Sequence, residues 1–168
     1  MTSLRLGPLD ETAIEPMRAS IRRTVGRDVD HRTLRARVAA SGPWTEHGAE
    51  FGFWRDESVV GVVQGMCCPR WGDARSIEVG ILVFDPDARG RGIGTEALTL
   101  WLDHLFVERE AFRVSFLTQP DNERMIRLGE RCGFRFEGVM RGSALIGGDL
   151  HDELLYGLTR DDPRPAAG

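Results

Sequence analysis

The chain has 168 residues, 41% hydrophobic and 29% charged, a balance that excludes a disordered, collagen-like or membrane-bundle protein. Its 26 acidic and 22 basic residues leave a formal charge of −4, so bulk electrostatics give no footprint for nucleic acid. Every basic residue is arginine, and without lysine the chain can form neither a Schiff base nor a GxxxxGK[ST] phosphate loop.

Leu4 and Leu6 alternate with polar neighbours and predict a short first strand. Asp10 has the chemistry of a helix cap, and Ala13, Met17 and Ile21 follow at near-helical spacing, with Pro16 blurring the start. A second helix is expected from Asp30, with Leu34 and Val38 four apart and Gly42-Pro43 ending it. Phe51 and Phe53 alternate up to an Asp56-Glu57 turn, and the valine-rich Ser58–Cys68 stops at Pro69. The two predict an antiparallel hairpin. Arg75–Phe84 is a mostly apolar strand, hence central in its sheet. Leu98, Trp101, Leu102 and Leu105 then mark one face of a helix. Arg113–Thr118 reads as a strand, Asn122–Cys132 as a helix stopped by Gly133, and Phe134–Met140 and Leu150–Leu158 as two closing strands. This order predicts an α+β (mixed α/β) fold with helices on the faces of the sheet. Residues 1–160 are expected to form one domain, and the Pro- and Ala-rich 161–168 a disordered tail.

Cys67, Cys68 and Cys132 are odd in number and lack zinc spacing, so they predict reduced thiols and no metal. Met1–Asp10 lacks the charged start and apolar run of a signal peptide, and no stretch approaches the ~18–20 apolar residues of a membrane span. A cytoplasmic protein with no membrane partner is expected.

The informative segment is VFDPDARGRGIGTEA, Val83–Ala97, a strand leading through a glycine-rich turn into a helix. Glycines at 90, 92 and 94 let backbone approach a ligand closely. The first turn of the helix offers unpaired N–H groups and a partial positive charge, and Arg89 and Arg91 add to it. Together they make a cradle for a phosphate or diphosphate. The spacing GRGIG is not the GxGxxG of a dinucleotide fold, and strands precede the loop where such a fold opens with it.

RGRGIG, followed by Thr95, matches the [Q/R]xxGx[G/A] signature of the GNAT superfamily of N-acetyltransferases. DNERMIRLGERCGFRFEGVMR, Asp121–Arg141, resembles the superfamily's "N…L…GF…G" region. The closing Asp149–Leu158 resembles the end of the branch that acetylates ribosomal-protein N-termini (RimJ/RimL-like). The resemblance covers about residues 3–160. It implies a mixed, largely antiparallel central sheet of about six or seven strands flanked by helices. It also implies acetyl transfer from acetyl-CoA, as co-substrate and without metal, to a primary amine. By the same resemblance Ile81, Leu82 and Val83 bond the pantetheine arm through their backbone. Arg89, Gly90, Arg91, Gly92, Ile93, Gly94 and Thr95 hold the diphosphate, and Asn122 contacts the cofactor.

Acyl transfer to an amine needs the thioester positioned, the ammonium deprotonated and the oxyanion stabilised. Glu78, a carboxylate within an apolar strand and on one face with Gly80 and Leu82, is the candidate base. Many members of the superfamily carry a tyrosine that protonates the leaving thiolate. The aligned position here is Gly129, and Tyr156, the only tyrosine, does not match; Ser115 and Cys132 are not assigned the role. That departure leaves a catalytically impaired CoA-binding sensor or partner subunit as the alternative reading. Asp149 and Asp152 suit an acidic rim that attracts a cationic amine. Trp44 and Trp71, in loops, are the tryptophans placed to touch substrate, and Arg32–Arg37 reads as a solvated helix face. The acceptor is a protein N-terminus, amino acid, polyamine or amine-bearing antibiotic, and a homodimer is the default assembly.

Overall fold

A computed structural model describes residues 4–26, 28–68, 75–84 and 90–165. Its seven strands are β1 (Arg5–Gly7), β2 (Gly48–Arg55), β3 (Ser58–Cys67), β4 (Ser76–Val83), β5 (Arg113–Thr118), β6 (Arg135–Ile146) and β7 (Asp149–Thr159). Its helices are α1 (Ile14–Val25), α2 (His31–Ala40), α3 (Ile93–Asp103) and α4 (Glu123–Arg131). The strand order is β1-β2-β3-β4-β5-β7-β6. Only β4 and β5 are joined in parallel among the described pairs; β1–β2, β2–β3, β5–β7 and β6–β7 are antiparallel. The expected α+β, largely antiparallel architecture is therefore the one observed.

The chain divides into two compact units, and β4 gives its first four residues to one and its last four to the other. In the first unit, Met17 and Leu34 are fully buried and pack with Ile14, Val38, Val62 and Phe84. Each such side chain is worth ~1.5–3 kcal/mol of transfer free energy. Asp10 caps a short 3-10 turn at Glu11–Ala13 by accepting from the Thr12 N–H, so α1 begins four residues beyond the cap and Pro16 falls in its first turn, where no N–H is needed. Asp30 accepts from the Thr33 N–H and starts α2. Buried Trp101 donates its indole N–H to the Gln64 carbonyl (3.2 Å) and stacks with Trp44 at 5.8 Å. Trp44 is thus part of a packed aromatic pair, and Trp71 lies outside the described residues.

In the second unit, Phe116 on β5 stacks on Tyr156 of β7 at 5.0 Å and meets Phe134 edge-on at 5.0 Å. Strands β6 and β7 run to a tight turn at Gly147-Gly148, both with positive φ, so β6 extends six residues past the predicted Met140. The polar stretch Arg141–Ser143 hid that extension, because two register irregularities in β6 break its alternation. A π-helical segment, His104–Glu108, follows α3 and has no sequence signature. Past β7, Asp162 accepts from the Thr159 N–H and Arg164 pairs with Asp103 at 2.6 Å.

Candidate active site

In the first unit, β4 leads toward the glycine turn. Its ladder with β5 ends at Glu78 opposite Ser115, so Ile81, Leu82 and Val83 have no β5 partner. Half-buried peptide groups on the side no longer paired to β5 need another partner. The Val83 carbonyl accepts from Ser20 Oγ (3.2 Å), and the Phe84 carbonyl from Arg23 (2.6 Å). Arg89 lies outside the described residues. Gly90 and Gly92 have φ of +76° and +81°, the left-handed region that favours glycine. A Cβ at either would meet nothing within 4 Å, so the turn is open. Arg91 is exposed beside them. Helix α3 takes its first bond from the Glu96 N–H to the Gly92 carbonyl (2.9 Å), which leaves the amides of Ile93, Gly94 and Thr95 at the helix mouth without helical acceptors.

The same unit holds a cavity of about 500 Å³. Ile21, Val29, Val62 and Leu82 supply apolar wall, and Thr33, Arg37 and Gln64 supply the polar groups. Arg37 is not merely solvated: it pairs with Glu50 on β2 and faces the cavity. Gln64 lies over Gly80, and a Cβ at Gly80 would sit 2.7 Å from Gln64 Nε2. Thr33 and Arg37 are one helical turn apart, but nothing in the sequence distinguishes Arg37 from Arg32 and Arg35.

Glu78 belongs to the second unit, half-buried on β4. It is opposite Ser115, which is opposite Gly157, so all three share one face of the strands. Glu153, four residues from Gly157 on β7, falls on that face too, and its Oε2 accepts from Ser143 Oγ (2.8 Å). Burial is the main reason the Glu78 carboxyl titrates above its ordinary range, and the negative charge of Glu153 adds to it. Beside them, Arg113 grips both oxygens of Glu137. That pairing holds the Glu137 carboxyl below its ordinary range.

The tyrosine question resolves in packing terms. A Cβ at Gly129 would lie 2.4 Å from the Phe116 ring, so α4 has no room for any side chain there. Tyr156 is buried in the stack with Phe116, on the strand face opposite to Glu78. Cys132 is buried at the end of α4. Asn122 is the cap of α4: its side-chain oxygen accepts from the Met125 N–H (3.3 Å). Asp149 is exposed at the hairpin turn. Asp152 sits on the face opposite to Glu153, and its Oδ1 accepts from the Gly142 N–H (2.8 Å). The structure therefore groups Glu78 with Glu153, a residue the sequence does not single out, and with neither aspartate. Among the described residues no group of three or more His, Cys, Asp or Glu side chains could hold a metal ion. No described helix is long and apolar enough to cross a membrane.

A family model for acetyltransferase (GNAT) domains matches residues 4–135. The chain belongs to the GNAT family. It carries an N-acetyltransferase domain of that type. It is similar to the SPbeta prophage-derived uncharacterized N-acetyltransferase YokL of Bacillus subtilis, with 29% identity over 107 residues, 64% of this chain and 59% of YokL. It is also similar to YdaF of Bacillus subtilis, named as a candidate ribosomal N-acetyltransferase, with 29% identity over 114 residues, 68% of this chain and 61% of YdaF. The matched stretches thus span less than two thirds of either relative. Among solved structures, Mycobacterium smegmatis RimJ in complex with CoA-disulfide has the same fold at a TM-score of 0.75, with 22% identity, covering 93% of this chain and 81% of that one.

Proposed function

We propose that this protein transfers the acetyl group of acetyl-CoA to a primary amine by direct attack within a ternary complex. The observation that carries this reading is the succession along the chain of two incomplete backbone elements: a strand that loses its β5 ladder after Glu78, and a glycine turn that leaves the first amides of α3 open. A diphosphate fits the second, at Gly90–Thr95, and a pantetheine arm, which carries its own amides, fits the first, at Ile81–Val83. Asn122 is the third contact proposed for the cofactor.

When bound, acetyl-CoA supplies the activated acetyl group. Glu78, raised in pKa by its burial, takes the proton that the ammonium must lose, directly or through water. An N–H of β4 beyond its β5 ladder is the donor for the acetyl oxygen as charge develops on it. Coenzyme A is itself a moderately acidic thiol (free thiols titrate near ~8.5), so its departure does not demand the tyrosine that Gly129 excludes.

Wild-type protein with acetyl-CoA and an amine panel is expected to give product heavier by one acetyl group in mass spectrometry. Glu78→Gln is expected to lower kcat by about 100-fold or more while acetyl-CoA still binds. Wild-type binding of acetyl-CoA without transfer to any amine would instead favour the catalytically impaired sensor, the reading that Gly129 supports.

A further inference from the structure

We infer that the cavity of the first unit selects acceptors that carry a carboxylate remote from the reacting amine, read by Arg37 with Gln64. The inference rests on the proposed acetyl transfer and goes beyond it by naming the acceptor class. At about 500 Å³ the cavity suits a small molecule. Arg37 is the only charged side chain that lines it among the described residues, and no carboxylate does. Glu50 balances the guanidinium's charge, yet Arg37 offers the chamber only N–H donors, so the distal ammonium of a diamine, itself donor-only, would find no carboxylate in the lining. Glu50 stands behind Arg37 and engages one of its amino nitrogens, which fixes the guanidinium but leaves further donors of its fork for a ligand.

Gln64 strengthens the assignment. Its strand places it opposite Glu50, whose Oε1 is buried without a hydrogen-bond partner. The amide that could satisfy that oxygen is directed over Gly80 instead, into space that any other residue at position 80 would fill. Guanidinium and amide then border one apolar chamber, the chemistry of a site for an aliphatic body ending in a carboxylate.

Three amines of equal length separate the possibilities: 6-aminohexanoate, hexylamine and 1,6-diaminohexane, with a short neutral peptide amide as a fourth acceptor. 6-Aminohexanoate is expected to have the highest kcat/KM, by at least tenfold. Arg37→Met should raise its KM at least tenfold and bring its kcat/KM down to that of hexylamine. Because Arg37→Met strips Glu50 of its partner, the double variant Arg37→Met/Glu50→Gln and the strand-side variant Gln64→Leu are measured with it. Both should raise the KM for 6-aminohexanoate. Preference for the diamine, hexylamine or the peptide amide overturns the inference, as does a preference for 6-aminohexanoate that survives the double variant. A calorimetric titration distinguishes this from failure of the underlying reading. If wild-type protein does not bind acetyl-CoA at all, both fall; if it binds and the amine order is wrong, only the acceptor class falls.

Discussion

Two strand-to-helix turns in this molecule treat the first amides of their helices in opposite ways. At α4, Asn122 folds its side-chain oxygen back onto the Met125 N–H and completes the helix from within. At α3, Gly92 has no side chain to fold back, and it and Gly90 hold left-handed conformations with open space where a Cβ would be. The first helix end is finished by the protein. The second is left for an anion to finish, at a place where the helix dipole favours negative charge. A glycine-rich turn is thus informative for the cap it withholds as much as for the close approach it allows.

The sharpest way to break this contrast is to give the glycine turn a cap of its own. Gly92→Asp puts a carboxylate at the mouth of α3, where it bonds the open amides and repels a diphosphate. The left-handed backbone tolerates aspartate better than most residues, at a cost of about 1 kcal/mol. The Kd for CoA should rise about 100-fold, or about 2.7 kcal/mol, in a calorimetric titration, with cooperative unfolding retained. Unchanged affinity would mean that the diphosphate is held elsewhere.

The converse test removes the cap that exists. Asn122→Ala should lower stability by about 1 kcal/mol, read from the urea midpoint, because an orphan N–H of α4 loses its acceptor. Asn122→Asp keeps the acceptor and should restore the midpoint. The two variants then divide the roles of Asn122. Weaker CoA binding by the stable aspartate variant would mark the amide as a cofactor contact, while equal binding would leave Asn122 a cap alone.

The legibility of these features in sequence follows their range. The glycine turn, the helix that starts at Asn122 and the strand carrying Glu78 are local patterns, and each falls within a residue or two of where its residues predict. Gly129 looks like a loss when compared with a tyrosine motif, yet its cause is a long-range contact with the Phe116 ring, which no neighbouring residue announces. Arg37 is likewise one arginine among several on α2 until β2 brings Glu50 against it. Glu153 was hidden beside Asp152 because adjacent residues on a strand point to opposite faces, and a shift of one decides which carboxylate joins Glu78. Register depends on the whole β5–β7 ladder rather than on the segment itself.

The strands that feed the two turns differ as well, and Glu153 gives the finest probe of that difference. β4 brings a carboxylate to the shared face at Glu78, where β5 brings only the hydroxyl of Ser115. Burial is the larger cause that raises the Glu78 carboxyl and the charge of Glu153 the smaller. Glu78 acts as a base only when ionised, so the rate should climb as pH rises through its pKa. Glu153→Gln removes the neighbouring negative charge while keeping a group that can accept from Ser143. The pKa of Glu78 should fall, and the acid limb of kcat/KM should move to lower pH. Burial persists, so the limb should remain above the range of a fully solvated glutamate. The same linkage bears on stability: a carboxyl raised in the folded state opposes folding as pH climbs through its unfolded pKa toward its folded one, and Glu153→Gln should relieve part of that opposition. A limb that stays in place in Glu153→Gln, with normal acetyl-CoA binding, would show that Glu153 does not tune the base and that burial alone sets it.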